Sequence, residues 1–429
     1  MKFRSKSPPS ALTKVELSLA GILLIYPALL FLIRGGMNGA LFLIAAISLT
    51  LHITRHKRGN KSGDNTAIAF SFAMFSGLLV IMISQVYHHD VNLRYFDSAA
   101  RFLLAVPILL ALREINMRVL TVIQYSIPLG AIAALVAILM NDPTARYNAS
   151  TFFMNHIHLG DMALLLGFLS ILSIDWIERD RSAVKLLKIA GLVSGLLVSG
   201  LSSARGGWIA IPVFVFAFIY SRTKENFIRK VVLALLFSGA IAFMGYLFIE
   251  PIHYRLWMIY SDLTSFTTGN IDTSIGVRLQ LWKAAFHLIA ENPILGVGAD
   301  GFGKAMDVLS ASGFITPIAA ELGKGEVHNE ILAQTVRFGI LGLISILSIY
   351  FVPFYIFLRA AKSGSKEKSV AAMMGMCVTL GFLIFGFTVE TFDLKMTAAF
   401  YSLTVAVLLA IAIHRLDRNE TDLADVPRK

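Results

Sequence analysis

Three side chains sit in settings that suit chemistry on an anionic substrate. Arg205 lies in the run Ser202-Ser203-Ala204-Arg205-Gly206-Gly207-Trp208. Small residues there let backbone approach closely, and the two glycines leave room for a ligand. A guanidinium at that place either grips an anion bidentately or snorkels to lipid head groups. Arg278 starts a predicted helix over residues 277–291, and Trp282, four residues on, shares its face. It suits a phosphate at head-group depth, or a salt bridge to Asp272. His328 stands in Val327-His328-Asn329-Glu330-Ile331-Leu332, where a further helix is predicted to open. A neutral imidazole is a competent general base at pH 7, although an isolated histidine also suits a purely structural role.

Other polar groups carry weaker signals. Arg101 falls one turn inside a predicted span, where a charge usually faces a cavity; it either guides a lipid phosphate or snorkels. Glu390 and Asp393 bracket a predicted turn and either orient a base or simply end helices. Gly296-Val297-Gly298-Ala299-Asp300-Gly301 spells G-x-G-x-x-G, but it follows a helix and Asn-Pro instead of a strand. It reads as a turn bringing loop backbone close to a membrane or ligand, not as a dinucleotide site. His88-His89-Asp90 and His156/His158 lack cysteine partners and an H-E-x-x-H context, so no metal site is expected. No Walker-type phosphate loop occurs, and neither ATP hydrolysis nor any other cofactor is expected.

The elements that must hold these groups are overwhelmingly apolar. Of 429 residues, 56% are hydrophobic and 15% charged, against about 25% charged in soluble domains. That balance excludes a soluble enzyme and a disordered chain and leaves a polytopic membrane protein. Spans are predicted near 15–33, 39–54, 66–86, 98–112, 118–139, 157–175, 185–200, 206–221, 231–249, 338–358, 369–388 and 397–413. With the N-terminus inside, the inner segments 1–14, 55–62, 176–188, 222–230, 359–368 and 415–429 carry four Lys/Arg each, and 113–118 carries two. The positive-inside rule then puts both termini in the cytoplasm. The basic N-terminus is followed by no small-residue cleavage site, so the first apolar run is expected to be a retained helix. The net charge of +11 is mostly this topology, and a nucleic-acid partner is not expected. Cys377 is the one cysteine, which excludes an intramolecular disulfide.

The chain therefore divides into helices over 1–250, a long outer connection over 251–327, and helices plus a cytoplasmic tail over 328–429. A connection that long is usually functional. Within it Leu281, Ala285, Leu288 and Ile289 form an apolar stripe suited to a helix lying on or dipping into the outer leaflet. Asn292-Pro293 should end that helix. ATP and nucleotide sugars are not available on that face, so a substrate there carries its own activation or needs none.

Three runs together resemble the O-antigen ligase/polymerase superfamily. The Ser202–Trp208 run is similar to its S-x-[ST]-R-G-x-W motif, with Ala204 where Ser or Thr is usual. Arg278-x-x-x-Trp282-x-x-Ala285, followed by Asn292-Pro293-x-x-Gly296-x-Gly298-x-x-x-Phe302, resembles the signature of its periplasmic loop. His328-Asn329-x-x-Leu332-x-Gln334, then Gly339-x-x-Gly342, resembles its His-Asn motif. They cover roughly residues 200–342, in the family's order.

The resemblance implies an all-α polytopic protein of about twelve transmembrane helices, of the GT-C type, with one large, partly helical periplasmic loop. It lies closest to the ligase branch, which moves a glycan from undecaprenyl diphosphate onto a sugar of lipid A–core in a Gram-negative inner membrane. It implies Arg205 and Arg278 as diphosphate-binding groups and His328 as the catalytic histidine, without metal or nucleotide. Arg101, Trp282, Asn329, Glu390 and Asp393 are supporting candidates. Membrane lipids, the lipid-linked donor and the lipid A–core acceptor are the expected partners. The same chemistry serves an O-antigen polymerase or an O-linked protein oligosaccharyltransferase. A transporter or flippase would place charges near the midplane in two related halves, a pattern not seen here.

Overall fold

The computed structural model describes residues 12–56, 65–89, 91–142, 144, 148–203, 205–223, 226, 228–233, 236, 239, 257, 261, 264, 271–362 and 365–414. The predicted span 231–249 and the first part of the 251–327 connection fall largely outside these residues, as do Asp90, Ala204, most of 1–14 and 415–429.

Every regular element among the described residues is helical. The first half holds α1 (Lys14–Leu32), α2 (Gly36–His56), α3 (Asn65–His88), α4 (Phe96–Leu112), α5 (Met117–Leu120), α6 (Ile123–Asn141), α7 (His156–Leu172), α8 (Ser182–Ser202) and α9 (Ile211–Arg222). The long connection contributes α10 (Ser274–Glu291), α11 (Gly301–Ala311) and α12 (Pro317–Gly323). The chain closes with α13 (Glu330–Ala360), α14 (Lys366–Phe385) and α15 (Lys395–Ala412). Eight helices are long and apolar enough to cross a membrane, and Gly36–Leu51 and His156–Leu172 are shorter apolar helices. The protein is thus an all-α polytopic membrane protein. Predicted span 206–221 is a 3-10 turn, Arg205–Ala210, running into α9; together they are about 30 Å long.

Local chemistry sets the helix ends. Thr13 and Glu16 form a capping box at the start of α1, each side chain accepting the other's backbone N–H at 3.2 and 3.0 Å. Asn155 caps α7 and Asn329 caps α13 by accepting N–H groups at 3.0 Å. Helix α15 is the hub of the bundle. Of its most apolar window 89% is buried inside the protein, against 33% for α1, and α4, α14, α2 and α13 pack around it. Phe382, Phe392 and Tyr401 interlock at its N-terminal half with ring centroids 4.9–5.5 Å apart, and Tyr401 Oη donates to Ile349 O at 2.7 Å. At the opposite end Lys188, fully buried, donates to Asp180 at 2.8 Å and to Ser173 O at 2.6 Å. A buried ammonium is tolerable only with such partners.

The apolar stripe of α10 behaves differently from the expectation. Leu281, Ala285 and Leu288 are buried in a core of their own with Phe302 and Met306 of α11, Ala319 and Ala320 of α12, and Ala333 and Val336 of α13. The stripe is covered by its own subdomain, not by a leaflet. The helix also begins three residues earlier, at Ser274, capped by Thr273.

The subdomain is stitched to the bundle at a break in α13. Gly339 has φ 63 and ψ −150, a conformation that only glycine adopts without strain. The break releases carbonyls that an unbroken helix would occupy. Val336 O and Arg337 O instead accept the N–H groups of Val297 and Gly298 at 2.9 and 3.0 Å, and Ile340 N–H donates to Pro293 O at 2.8 Å. Gly296 and Gly298 take positive φ to make this approach. A Cβ on Gly339 would collide with Ile294 O. The G-x-G-x-x-G turn therefore meets helix backbone, and no nucleotide is needed to account for its glycines.

Candidate functional site

The turn between α14 and α15, residues 386–394, gathers most of the predicted groups. Gly386 O accepts Glu330 N–H at 2.7 Å, and Phe387 O accepts Asn329 Nδ2 at 3.5 Å. Glu390 Oε1 accepts Val327 N–H at 2.6 Å, and Glu326 Oε1 accepts Glu390 N–H at 2.7 Å. Glu330 Oε2 accepts Phe392 N–H at 2.9 Å. The segment 326–330 is thus laced along one side of this turn. On another side a Cβ on Gly206 would collide with Thr388, so the Arg205 turn lies against the same residues.

His328 does not belong to a helix. Helix α13 starts at Glu330 with Asn329 as its cap, and His328 precedes the cap with φ 58. Histidine adopts this left-handed conformation more readily than most residues. The position lifts the imidazole off the helix axis and sets Nδ1 3.5 Å from Glu326 Oε1, ion-pair distance but not a hydrogen bond. Burial raises the Glu326 pKa, but His328, the Glu390 N–H and His158 together outweigh that and hold it below the usual carboxylate range.

Glu390 is clamped. Arg337 Nη1 and Nη2 donate to its two oxygens at 2.5 and 3.2 Å, with side-chain exposures of 15% and 2%. This is the forked geometry a guanidinium uses on a carboxylate. Burial pushes the Glu390 carboxyl upward, and the Arg337 charge opposes that. With both oxygens bonded to Arg337 and Oε1 also accepting Val327 N–H, Glu390 holds the 326–328 segment in place.

Arg205 is half-buried at the head of its 3-10 turn, which packs on α7 and α14. Beneath it lies Asp161 of α7, fully buried, with no hydrogen-bond partner for either oxygen among the described residues. A Cβ on Gly207 would collide with Asp161 Oδ1. One turn away on α7, buried His158 interacts electrostatically with Glu326. Arg278 and Trp282 are half-buried on α10, which packs on α13 and α12. Arg101 is buried, donates from Nε to Asn38 Oδ1 at 2.6 Å, and also bonds the Asp97 carbonyl. Asp393 is exposed, and its carbonyl accepts from Ser98 Oγ at 3.1 Å. No cluster of three or more metal-ligating side chains occurs among the described residues.

Sequence reasoning passed over Arg337, Glu326 and Asp161. Asp161 carried a usable signal, an ionisable group inside the predicted span 157–175. Arg337 abuts the predicted span 338–358 and pairs with a residue 53 positions away, which no local pattern announces.

The geometry can be set beside known proteins. The O-antigen ligase family model matches residues 190–347, the stretch that carries Arg205, Arg278, Trp282, His328, Asn329 and Arg337. An uncharacterized protein of Haemophilus influenzae is 27% identical over 370 residues, covering 85% of this chain and 90% of that one. An O-antigen ligase of Escherichia coli is 26% identical over 196 residues, 45% of each chain. The similarity to the O-antigen ligase family thus lies in residues 190–347.

Proposed function

We propose that the protein is an O-antigen ligase. It transfers a glycan from undecaprenyl diphosphate to a sugar hydroxyl of lipid A–core at the periplasmic face of a Gram-negative inner membrane, in lipopolysaccharide biosynthesis. The bundle would be of the GT-C type with about twelve spans. The observation that carries the reading is the convergence of the His328 segment and the Arg205 turn on residues 386–394, at the end of the bundle where the loop subdomain sits.

In this reading Arg205 and Arg278 bind the donor diphosphate and stabilise the charge that develops as it leaves. His328 takes the proton of the acceptor hydroxyl as that oxygen attacks the anomeric carbon. Direct displacement inverts the anomeric centre and expels the lipid diphosphate. Glu326 at 3.5 Å suits holding the imidazole and the positive charge it gains. The donor supplies its own activation, so no nucleotide is required. The test is complementation of a ligase-null Gram-negative strain, read on a lipopolysaccharide gel. A restored ladder on lipid A–core is the expected result. Rescue of a polymerase-null strain instead would reassign the chain to the polymerase branch.

A further inference from the structure

A groove of about 770 Å³ lies at the end of the bundle opposite the His328 segment. Helix α13 runs 31 residues from Glu330, two places after His328, to Ala360 in the wall of this groove. On the order of 40 Å of helix therefore separates the two places. The groove lies among the start of α3, the end of α13, Lys368 of α14 and the end of α15. By sequence these helix ends adjoin the predicted inner segments 55–62, 359–368 and 415–429. The positive-inside rule puts this end of the bundle in the cytoplasmic leaflet.

The wall is apolar. Ile356 is buried and Val352 half-buried, while Phe351 and Tyr355 are exposed. Ala69, Ala360 and Ala412, one from each of three helices, also line it, and their small side chains leave room that larger ones would fill. The groove thus reaches the surface past apolar and aromatic side chains, which in a spanning bundle is surface that lipid covers. The rim is cationic. Arg359 sets its guanidinium 5.3 Å from the centroid of the Tyr355 ring and enters no ion pair among the described residues. Lys368 Nζ donates to His414 O at 3.1 Å. Buried His414 is itself anchored, with Nε2 2.7 Å from Ile115 O, so the ammonium is held at the rim by backbone. No Asp or Glu is among the lining residues.

We propose that this groove holds an anionic glycerophospholipid of the cytoplasmic leaflet. Its phosphodiester lies between Arg359 and Lys368, and an acyl chain runs along Val352 and Ile356. Basic residues at inner helix ends follow from topology alone. What sets these two apart is their seat above an apolar groove with no carboxylate in its lining. A soluble anion needs only the rim, and a zwitterionic head brings its own cation into a rim that already has two. A basic pocket between spanning helices on the cytoplasmic side suits an anionic head group.

The test uses the full chain in detergent, titrated by native mass spectrometry with phosphatidylglycerol and, separately, with phosphatidylcholine. Phosphatidylglycerol should bind about tenfold or more tighter, as charge-assisted bonds provide, and should raise Tm. Arg359→Gln/Lys368→Gln should bring its affinity down to that of phosphatidylcholine. Lys362→Gln/Arg118→Gln removes the same charge from the same end of the bundle at residues outside the lining, and should leave both affinities unchanged. Equal losses from the two pairs would overturn the site, because diffuse surface charge would then account for binding. Ala69→Leu fills the groove and keeps both cations, so it should weaken both lipids even if the charge variant folds poorly. Unchanged binding by Ala69→Leu would mean that no acyl chain lies there. Inorganic phosphate should not displace phosphatidylglycerol; displacement would make the rim a soluble-anion site and overturn the lipid assignment.

Discussion

Arg337 and Arg205 both fall within the matched segment, yet the fold sets them in different surroundings. Arg337 is forked onto Glu390, its carbonyl bonded by Gly298, beside the break at Gly339. Arg205 heads a short turn of small residues whose glycines press against Thr388 and Asp161. A guanidinium already matched to a carboxylate has little left for a phosphate. Arg205 is half-buried on a turn whose glycines allow close packing against α7 and the 386–394 turn. The two regions teach that nearness to the candidate histidine does not by itself assign an arginine's role, since the Arg337 fork is already met by Glu390.

The sharpest way to break that contrast is to unclamp Arg337. Glu390→Ala should cost about 3–5 kcal/mol, because it leaves a buried charge uncompensated. Thermal unfolding in detergent should show a large drop in Tm, and Arg337→Met/Glu390→Met should recover much of it. A small shift from the single variant would put Arg337 among candidate ligand arginines. Next, Arg205→Lys and Arg278→Lys should each lower transfer by roughly 10- to 100-fold with Tm unchanged, since lysine keeps charge and loses the fork. Near-normal lipopolysaccharide from either would favour simple snorkelling there. Gly339→Ala should cost about 1–3 kcal/mol from a backbone conformation essentially restricted to glycine, and more from the clash with Ile294 backbone. Limited proteolysis should then show the loop subdomain loosened. An unchanged digestion pattern would mean the 293–298 stitch does not hold it.

The smallest effect concerns acid. The pKa of Glu326 is lowered in the folded protein, so its contribution is complete above the ordinary glutamate range and is lost as pH falls through the lowered value. Glu326→Gln should flatten that limb of the stability profile. An unaltered acid limb would show that other carboxylates set it.

Much of this fold was legible because lipid solvation imposes long apolar runs, and the predicted spans from 15–33 to 397–413 meet helices wherever they fall on described residues. Periodicity also announced α10 and its end at Asn292-Pro293. It could not say what covers an apolar stripe, so the burial of Leu281 and Leu288 against α11 and α12 was out of reach. The break at Gly339 was hidden for a related reason. Its carbonyls are satisfied by residues about forty positions earlier in the chain, and only the tertiary fold brings them there. The candidate groups themselves stood out by type, whereas the Glu390 clamp depends on a contact between distant segments.

The central claim is that His328 moves a proton in glycosyl transfer. Its most direct test is turnover and donor binding of His328→Ala and His328→Gln in nanodiscs with a defined lipid-linked donor and lipid A–core. A general base contributes about 10²- to 10⁴-fold, so both variants should lose turnover in that range while undecaprenyl diphosphate binds as before. Glutamine restoring most of the rate would contradict the claim, since it can hold an acceptor hydroxyl but cannot accept its proton at neutral pH.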